Sequence, residues 1–232
     1  MRTRRIGHLG ILSLMAAAAI TYAASAADEA KDGWISLFDG KTLDNWKANG
    51  KLAEGAFTVE DGMIVAHGQG SHLFYVGPVQ DHAFKNFEFQ ADVMTTTGSN
   101  SGIFFHTRFD PAAGGPIGGY EAQIDSSHSD PRRTGSLYNV KNIDEPKPNA
   151  GPSQDGKWFH YDISVAGKHI VFKIDGKTVL DYTEPADVAP PKNKAGRQLS
   201  RGTFALQAHP PAQKGQSGIT YFKNVKVKPL PE

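Results

Sequence analysis

The 232-residue chain is almost balanced in charge, 25 Lys and Arg against 24 Asp and Glu for a net +1, and it contains no cysteine. That balance excludes the basic stripe with which a domain grips nucleic acid or an anionic membrane surface. The missing cysteine excludes a disulfide framework, so a fold of this length must be held by its apolar core.

Residues 1–26 read as a secretory leader. Arg2, Arg4 and Arg5 make a basic start, Ile11 to Ile20 form a short apolar run, and Ala24-Ser25-Ala26 supplies small residues for cleavage. The run is too short and too poorly flanked for a membrane anchor, and no cysteine stands near the cut for a lipid. The expectation is a periplasmic or secreted protein with no membrane insertion after cleavage, and a single domain over 27–232.

The rest alternates short runs of Val, Ile, Phe, Tyr and Thr with Gly, Pro, Asn and Asp, the signature of many short strands. Trp34–Phe38 predicts a first strand, and Leu43 and Trp46 a loop whose Trp caps the core edge. Phe57–Glu60 and Met63–Ala66 flank Asp61-Gly62, the chemistry of a type I′ hairpin. Leu73–Tyr75 is a short apolar strand. Phe87–Met94 alternates strictly, which sends Phe87, Phe89, Ala91 and Val93 to a core and Glu88, Gln90 and Asp92 to the other face.

The central stretch, Gly98 to Tyr138, carries two strands around a glycine-rich turn. Simple alternation places Phe104, His106 and Arg108 on one face of the first. On the second it sets Glu121, Gln123 and Asp125 opposite Tyr120, Ala122 and Ile124. Asn142 to Gly156, with Pro146, Pro148 and Pro152, reads as a long loop with the character of a functional rim. Trp158–Val165, Ile170–Ile174 and Lys177–Tyr182 form consecutive hairpin strands, and Pro185 to Arg201 is a second polar loop. Phe204–His209 places Gln207 and His209 opposite an apolar row, and Ile219–Val227 closes the chain. Such a strand count without helices predicts an all-β fold, a two-sheet antiparallel jelly-roll sandwich.

Several fragments in this order carry a resemblance: Leu37–Trp46, Val59–Ile64, Asn100–Phe105, Gly119–Ile124, Thr134–Tyr138, Leu206–His209 and Phe222–Val225. Together they resemble the 3-keto-disaccharide hydrolase family across essentially the whole mature chain. The resemblance implies a concanavalin-like (laminin G-like) jelly roll, a small carbohydrate substrate, and action on glycosides already oxidised at sugar carbon 3. Two departures stand out. Family members commonly carry Arg where this chain has His106, and a shorter, often acidic turn where it has Pro210–Lys214.

A ketone at carbon 3 acidifies the hydrogen on carbon 2. Its removal gives an enolate that can expel the carbon 1 substituent before water adds. That chemistry needs a base near carbon 2, a cation or hydrogen-bond donor at the enolate oxygen, and a proton for the departing group. The expected catalytic residues are Glu121 or His209 as base, with His106 and Arg108 at the oxyanion. Asn100, Arg108, Gln123, Asp125, Tyr138 and Gln207 are the expected substrate contacts. Each has a plainer reading: His106 as a structural histidine, Glu121 paired with Arg108 across the sheet, Tyr138 and Trp158 in the core. No cofactor is required by the sequence. A divalent metal held by His106, Glu121 and His209 is possible, although no metal-binding spacing occurs.

A conventional two-carboxylate glycosidase fits less well. Glu121 and Asp125 on one strand stand roughly 13 Å apart, beyond the separations of about 5 Å and 6.5–9.5 Å that retaining and inverting enzymes use. A non-catalytic carbohydrate-binding module is the alternative, because a jelly roll does not by itself imply chemistry.

Overall fold

The structure is a computed structural model that describes residues 32–49, 54–187 and 197–232. The leader expected over residues 1–26 lies outside the described residues. Ser36–Glu232 forms one compact unit, which holds strands β2 to β13. Among the described residues no helix is long and apolar enough to cross a membrane.

In chain order the strands are β1 (Ile35–Ser36), β2 (Trp46–Asn49), β3 (Phe57–Glu60), β4 (Met63–Ala66), β5 (Ser71–Tyr75), β6 (Phe87–Thr95) and β7 (Asn100–Thr107). They continue as β8 (Tyr120–Asp125), β9 (Phe159–Ala166), β10 (His169–Ile174), β11 (Lys177–Thr183), β12 (Thr203–Ala208) and β13 (Thr220–Pro229). One antiparallel sheet runs β11-β10-β9-β6-β13-β4-β3, and the other β2-β5-β12-β7-β8. They form the jelly-roll sandwich expected from the strand pattern.

The core between the sheets follows from period-two patterning. Phe87, Phe89, Ala91 and Val93 of β6 are all fully buried, while the residues between them are half-exposed. Phe204 of β12 reaches across from the opposite sheet, its ring 4.8 Å from that of Phe87 and 4.7 Å from that of Phe89. Burying each such ring stabilises the fold by roughly 1.5–3 kcal/mol. Asp61-Gly62 forms the expected hairpin turn. Glu60 pairs with Met63, and both turn residues take positive φ, 48° and 77°, as a type I′ turn requires.

Two expectations at the start of the fold are corrected. The strand predicted over Trp34–Phe38 is realised only at Ile35–Ser36. Ser36 Oγ donates to Phe38 O, and Asp39 Oδ1 accepts from the N–H groups of Lys41 and Thr42, which turns the chain out of the ladder. Trp46, expected in a loop, begins β2. It is buried edge-on against Tyr75 and donates from Nε1 to Leu37 O at 2.9 Å.

The outer face of the first sheet carries a charge cluster between β6 and β9. His160 lies 3.4 Å from Asp162 through Nε2 and 2.6 Å from Asp92 through Nδ1. The bonds to Asp162 and Asp92 outweigh the opposing effect of burial and raise the imidazole pKa to about 9. Because the folded value lies above the ordinary value near 6.5, the stabilisation is fully present below about pH 6.5. It is lost as pH rises through about 9. The urea midpoint of the native protein is therefore expected to fall between pH 6.5 and 9.5, and His160→Gln to flatten that fall. An equal fall in both proteins would contradict the assignment.

Candidate functional site

The outer face of the second sheet carries the site, and its registers define two cross-strand rows. Lys47, Phe74, Ala205, Phe104 and Glu121 align from β2 to β8. One step along the strands, Asn49, His72 and Gln207 align on β2, β5 and β12, while Gly102 of β7 pairs with Gln123 of β8. Over the β7–β8 half lies a cleft of about 590 Å³. Its floor includes Asn100, Phe104, Glu121 and Gln207, and its walls include His128, Asp130, Tyr138, Arg197 and His209.

Glu121 sits at the centre of the floor, only 4% exposed. Its side chain lies across Gly102, where a Cβ would come within 2.8 Å of Oε1 and 3.0 Å of Cγ. Glycine at 102 is what gives the carboxylate its place. With its amide turned so that the nitrogen faces the acceptors around it, Gln123, beneath Glu121, donates to Glu121 Oε1 at 3.2 Å. Arg197 comes in from the segment before β12, its Nη2 3.5 Å from Glu121 Oε2. The Arg197 guanidinium also donates from Nη1 to Tyr138 O and lies over the Tyr138 ring.

The opposite wall is built by the turn after β8. His128 Nδ1 accepts the Asp130 N–H at 3.1 Å, which puts the proton of the neutral ring on Nε2, facing Pro210 O. Burial and the neighbouring His209 lower the His128 pKa. His209, just beyond β12, stands at right angles to His128 with ring centroids 5.5 Å apart. Its Nδ1 lies 2.8 Å from Pro210 O, so Nδ1 donates there and the lone pair of the neutral ring is on Nε2. Burial acts to raise the Asp130 pKa, but the Arg132 N–H, the Tyr138 hydroxyl and the Arg132 side chain outweigh it and hold the carboxyl below its ordinary value. The Tyr138 hydroxyl donates to Asp130 Oδ2 at 2.8 Å, and burial together with that bond pushes its pKa up to about 12.

The residues expected at the site divide accordingly. Glu121, His209, Asn100, Gln207 and Tyr138 meet in the cleft. Gln123 and Asp125 are fully buried behind it. Asp125 pairs at 2.8 Å with Arg133, itself 1% exposed, because the 126–134 turn folds back over the end of β8.

His106 and Arg108 are corrected outright. Thr107 pairs with Thr203 and Phe104 with Ala205, so two residues of β7 oppose one of β12 and the strand bulges. At this bulge His106 takes φ 57°, and its ring turns away from the cleft to pack on Phe87 and Phe105. Nε2 donates to Lys85 O at 2.9 Å and Nδ1 accepts the Ser200 N–H at 3.1 Å. Burial lowers its pKa to about 4 against the opposing bond to Lys85 O, so the ring is neutral and structural. It lines a separate cavity of about 480 Å³ with Lys85 and Arg201. Arg108 lies exposed beyond the bulge and does not line the cleft, and the partner of Glu121 is Arg197.

Three cleft residues went unrecognised in the sequence. His128 and Asp130 sit in Ser126–Pro131, which reads as a plain polar turn, and Arg197 stands in the polar loop before β12. The rim expected from Asn142–Gly156 contributes no cleft residue; it packs behind the wall, with Arg133 Nε donating to Glu145 O and the Asn149 N–H to Ser126 O. Among the described residues no group of three His, Asp or Glu side chains is placed to hold a metal, and His106 does not approach Glu121 and His209 as that ligand set needs.

The chain is similar to a candidate glycosyl hydrolase of Parabacteroides distasonis (TM-score 0.71, 22% identity), covering 88% of this chain and 97% of that one. A second candidate glycosyl hydrolase from the same organism has TM-score 0.59 and 23% identity over 85% of this chain and 99% of that one. At these identities the likeness bears on the fold. A curated 3-keto-disaccharide hydrolase of Bacteroides thetaiotaomicron is 40% identical over 79 residues, 32% of this chain. That match spans only 27% of the relative's length. The model of the 3-keto-alpha-glucoside-1,2-lyase-like domain matches residues 33–228. The chain belongs to that family.

Proposed function

We propose that the cleft takes a glycoside oxidised at carbon 3 and cleaves its glycosidic bond by elimination followed by hydration. The observation that carries this reading is the meeting, in one cleft, of an imidazole lone pair, a carboxylate and a buried guanidinium. The family and the name of its Bacteroides relative support the substrate class.

In this reading His209 Nε2 removes the carbon 2 proton, and the electron pair moves to the carbon 3 oxygen. A guanidinium has five N–H donors. Arg197 engages Tyr138 O and Glu121 and directs the rest of its charge at the enolate oxygen. The enolate collapses, the carbon 1–oxygen bond breaks, and the His209 imidazolium returns its proton to the departing oxygen. Water then adds at carbon 1 and a proton returns to carbon 2, which completes a net hydrolysis. Glu121 fixes Arg197 and accepts from a sugar hydroxyl. The two-carboxylate alternative finds less support: Asp130, the second acid in the cleft, is held ionised by its donors and is no proton source near neutral pH.

Incubation with a 3-keto-glycoside in deuterated water tests the reaction. The released sugar is expected to carry deuterium at carbon 2; hydrolysis without exchange would contradict elimination, and binding without turnover would favour a carbohydrate-binding module. With the fold intact, His209→Ala is expected to lower kcat by about two decades or more, and Glu121→Gln, which releases Arg197 from its carboxylate, by about two decades. Near-native rates in folded variants would contradict these roles.

The basic start, apolar run and Ala24-Ser25-Ala26 also support export with cleavage after Ala26. N-terminal sequencing of the protein from an expressing bacterium is expected to begin at Ala27, and an intact Met1 terminus would contradict it.

A further inference from the structure

The cleft ends at Gln207, but the polar row to which Gln207 belongs continues across β5 to β2, outside the cleft lining. Asn49, His72 and Gln207 stand in register there, and each carries a buried polar atom without a partner: Asn49 Oδ1, His72 Nδ1 and Gln207 Oε1. Unpaired buried polar atoms are rare because each gives up its bonds to water without replacement. Three in one row are more than a chance defect. His72 Nε2 and Gln207 Nε2 lie 3.4 Å apart, so the row is linked internally while its outward atoms are unmet.

The 110–116 segment covers this row. Asn49 Nδ2 donates to Ala113 O at 3.2 Å, and a Cβ on Gly115 would lie 3.7 Å from the His72 ring. Gly114 and Gly115 at the tip place no side chain over the row. Beside the row runs an apolar strip of Phe74 and Phe104, on which Phe109 packs with its ring 5.5 Å from that of Phe74. The row spans two strand spacings, about 10 Å. Burial, with a smaller effect of His209, lowers the His72 pKa to about 4, so the ring is neutral. A neutral imidazole between two carboxamides suits hydroxyl groups rather than an anion, and Phe104, which also lines the cleft, offers an apolar edge beside them.

We propose that Asn49, His72 and Gln207 form the subsite for the second sugar ring, the leaving group of the disaccharide, exposed when the 110–116 tip lifts off them. The proposal rests on the carbohydrate reading of the cleft and adds a choice of leaving group. Hydroxyls of the second ring bond the three unmet atoms, and the tip exchanges its tether to Asn49 for the sugar.

The test compares a 3-keto-disaccharide with the methyl 3-keto-glycoside of the same sugar. His72→Phe keeps an aromatic ring beside Phe104 and removes both nitrogens; Asn49→Ala removes the far acceptor. Each is expected to raise KM for the disaccharide about tenfold while KM for the methyl glycoside stays within about twofold. Equal increases for both substrates, or none for either, would overturn the subsite. Wild-type protein that turns over neither substrate would contradict the proposed reaction alone, and calorimetry with the unoxidised disaccharide and its methyl glycoside then decides the subsite. Tighter disaccharide binding that is lost in His72→Phe is the expected result. Equal affinities would mean that water satisfies the row, and would overturn the proposal.

Discussion

The carboxylate of Glu121 and the guanidinium of Arg197 meet at 3.5 Å where both residues are less than a tenth exposed. The rest of the site is arranged around that pair. Burying two opposite charges costs desolvation that apolar packing would not, so such pairs are poor devices for stability alone. Here the pair joins two distant parts of the chain, β8 and the segment before β12, at the floor of a cleft. Gly102 leaves the space, Gln123 holds one carboxylate oxygen, and Tyr138 O holds the arginine from its other side. A charge fixed in this way costs little reorganisation when an anion develops beside it, which is the physical basis of oxyanion stabilisation.

The histidines show how far surroundings decide what one side chain does. His106 and His72 are made neutral by burial, and His160 is made a cation by its aspartates. His209 and His128 share the cleft at right angles; Nδ1 of the first donates to the backbone, and Nδ1 of the second accepts from it. The tautomer of His209 leaves its Nε2 lone pair for the proton acceptor's part in the proposed reaction.

Much of the sandwich was legible because a half-buried strand writes its geometry with period two. The alternation of Phe87–Met94 and the Asp61-Gly62 turn carry their structures locally, and so does the apolar row opposite Gln207 and His209. The face of Glu121 followed from the same parity. Parity failed at His106 because a bulge adds one residue and reverses every face after it, and nothing in Phe104-Phe105-His106-Thr107 announces a bulge. Arg197, His128 and Asp130 were invisible for another reason. Polar residues in turns look alike until tertiary packing decides which of them face a cleft, and the arginine that answers Glu121 stands 76 residues away in the chain. Asp125 shares a strand face with Glu121 but is covered by the turn that follows it, which alternation within β8 alone does not show.

The most direct test of this account is a crystal structure with a 3-keto-glycoside whose glycosidic oxygen is replaced by carbon, so that it binds but is not cleaved. The account predicts carbon 2 within about 3.5 Å of His209 Nε2, and the carbon 3 oxygen turned toward Arg197. A sugar bound with carbon 2 facing away from His209, or seated outside the Glu121–Arg197 cleft, would contradict it.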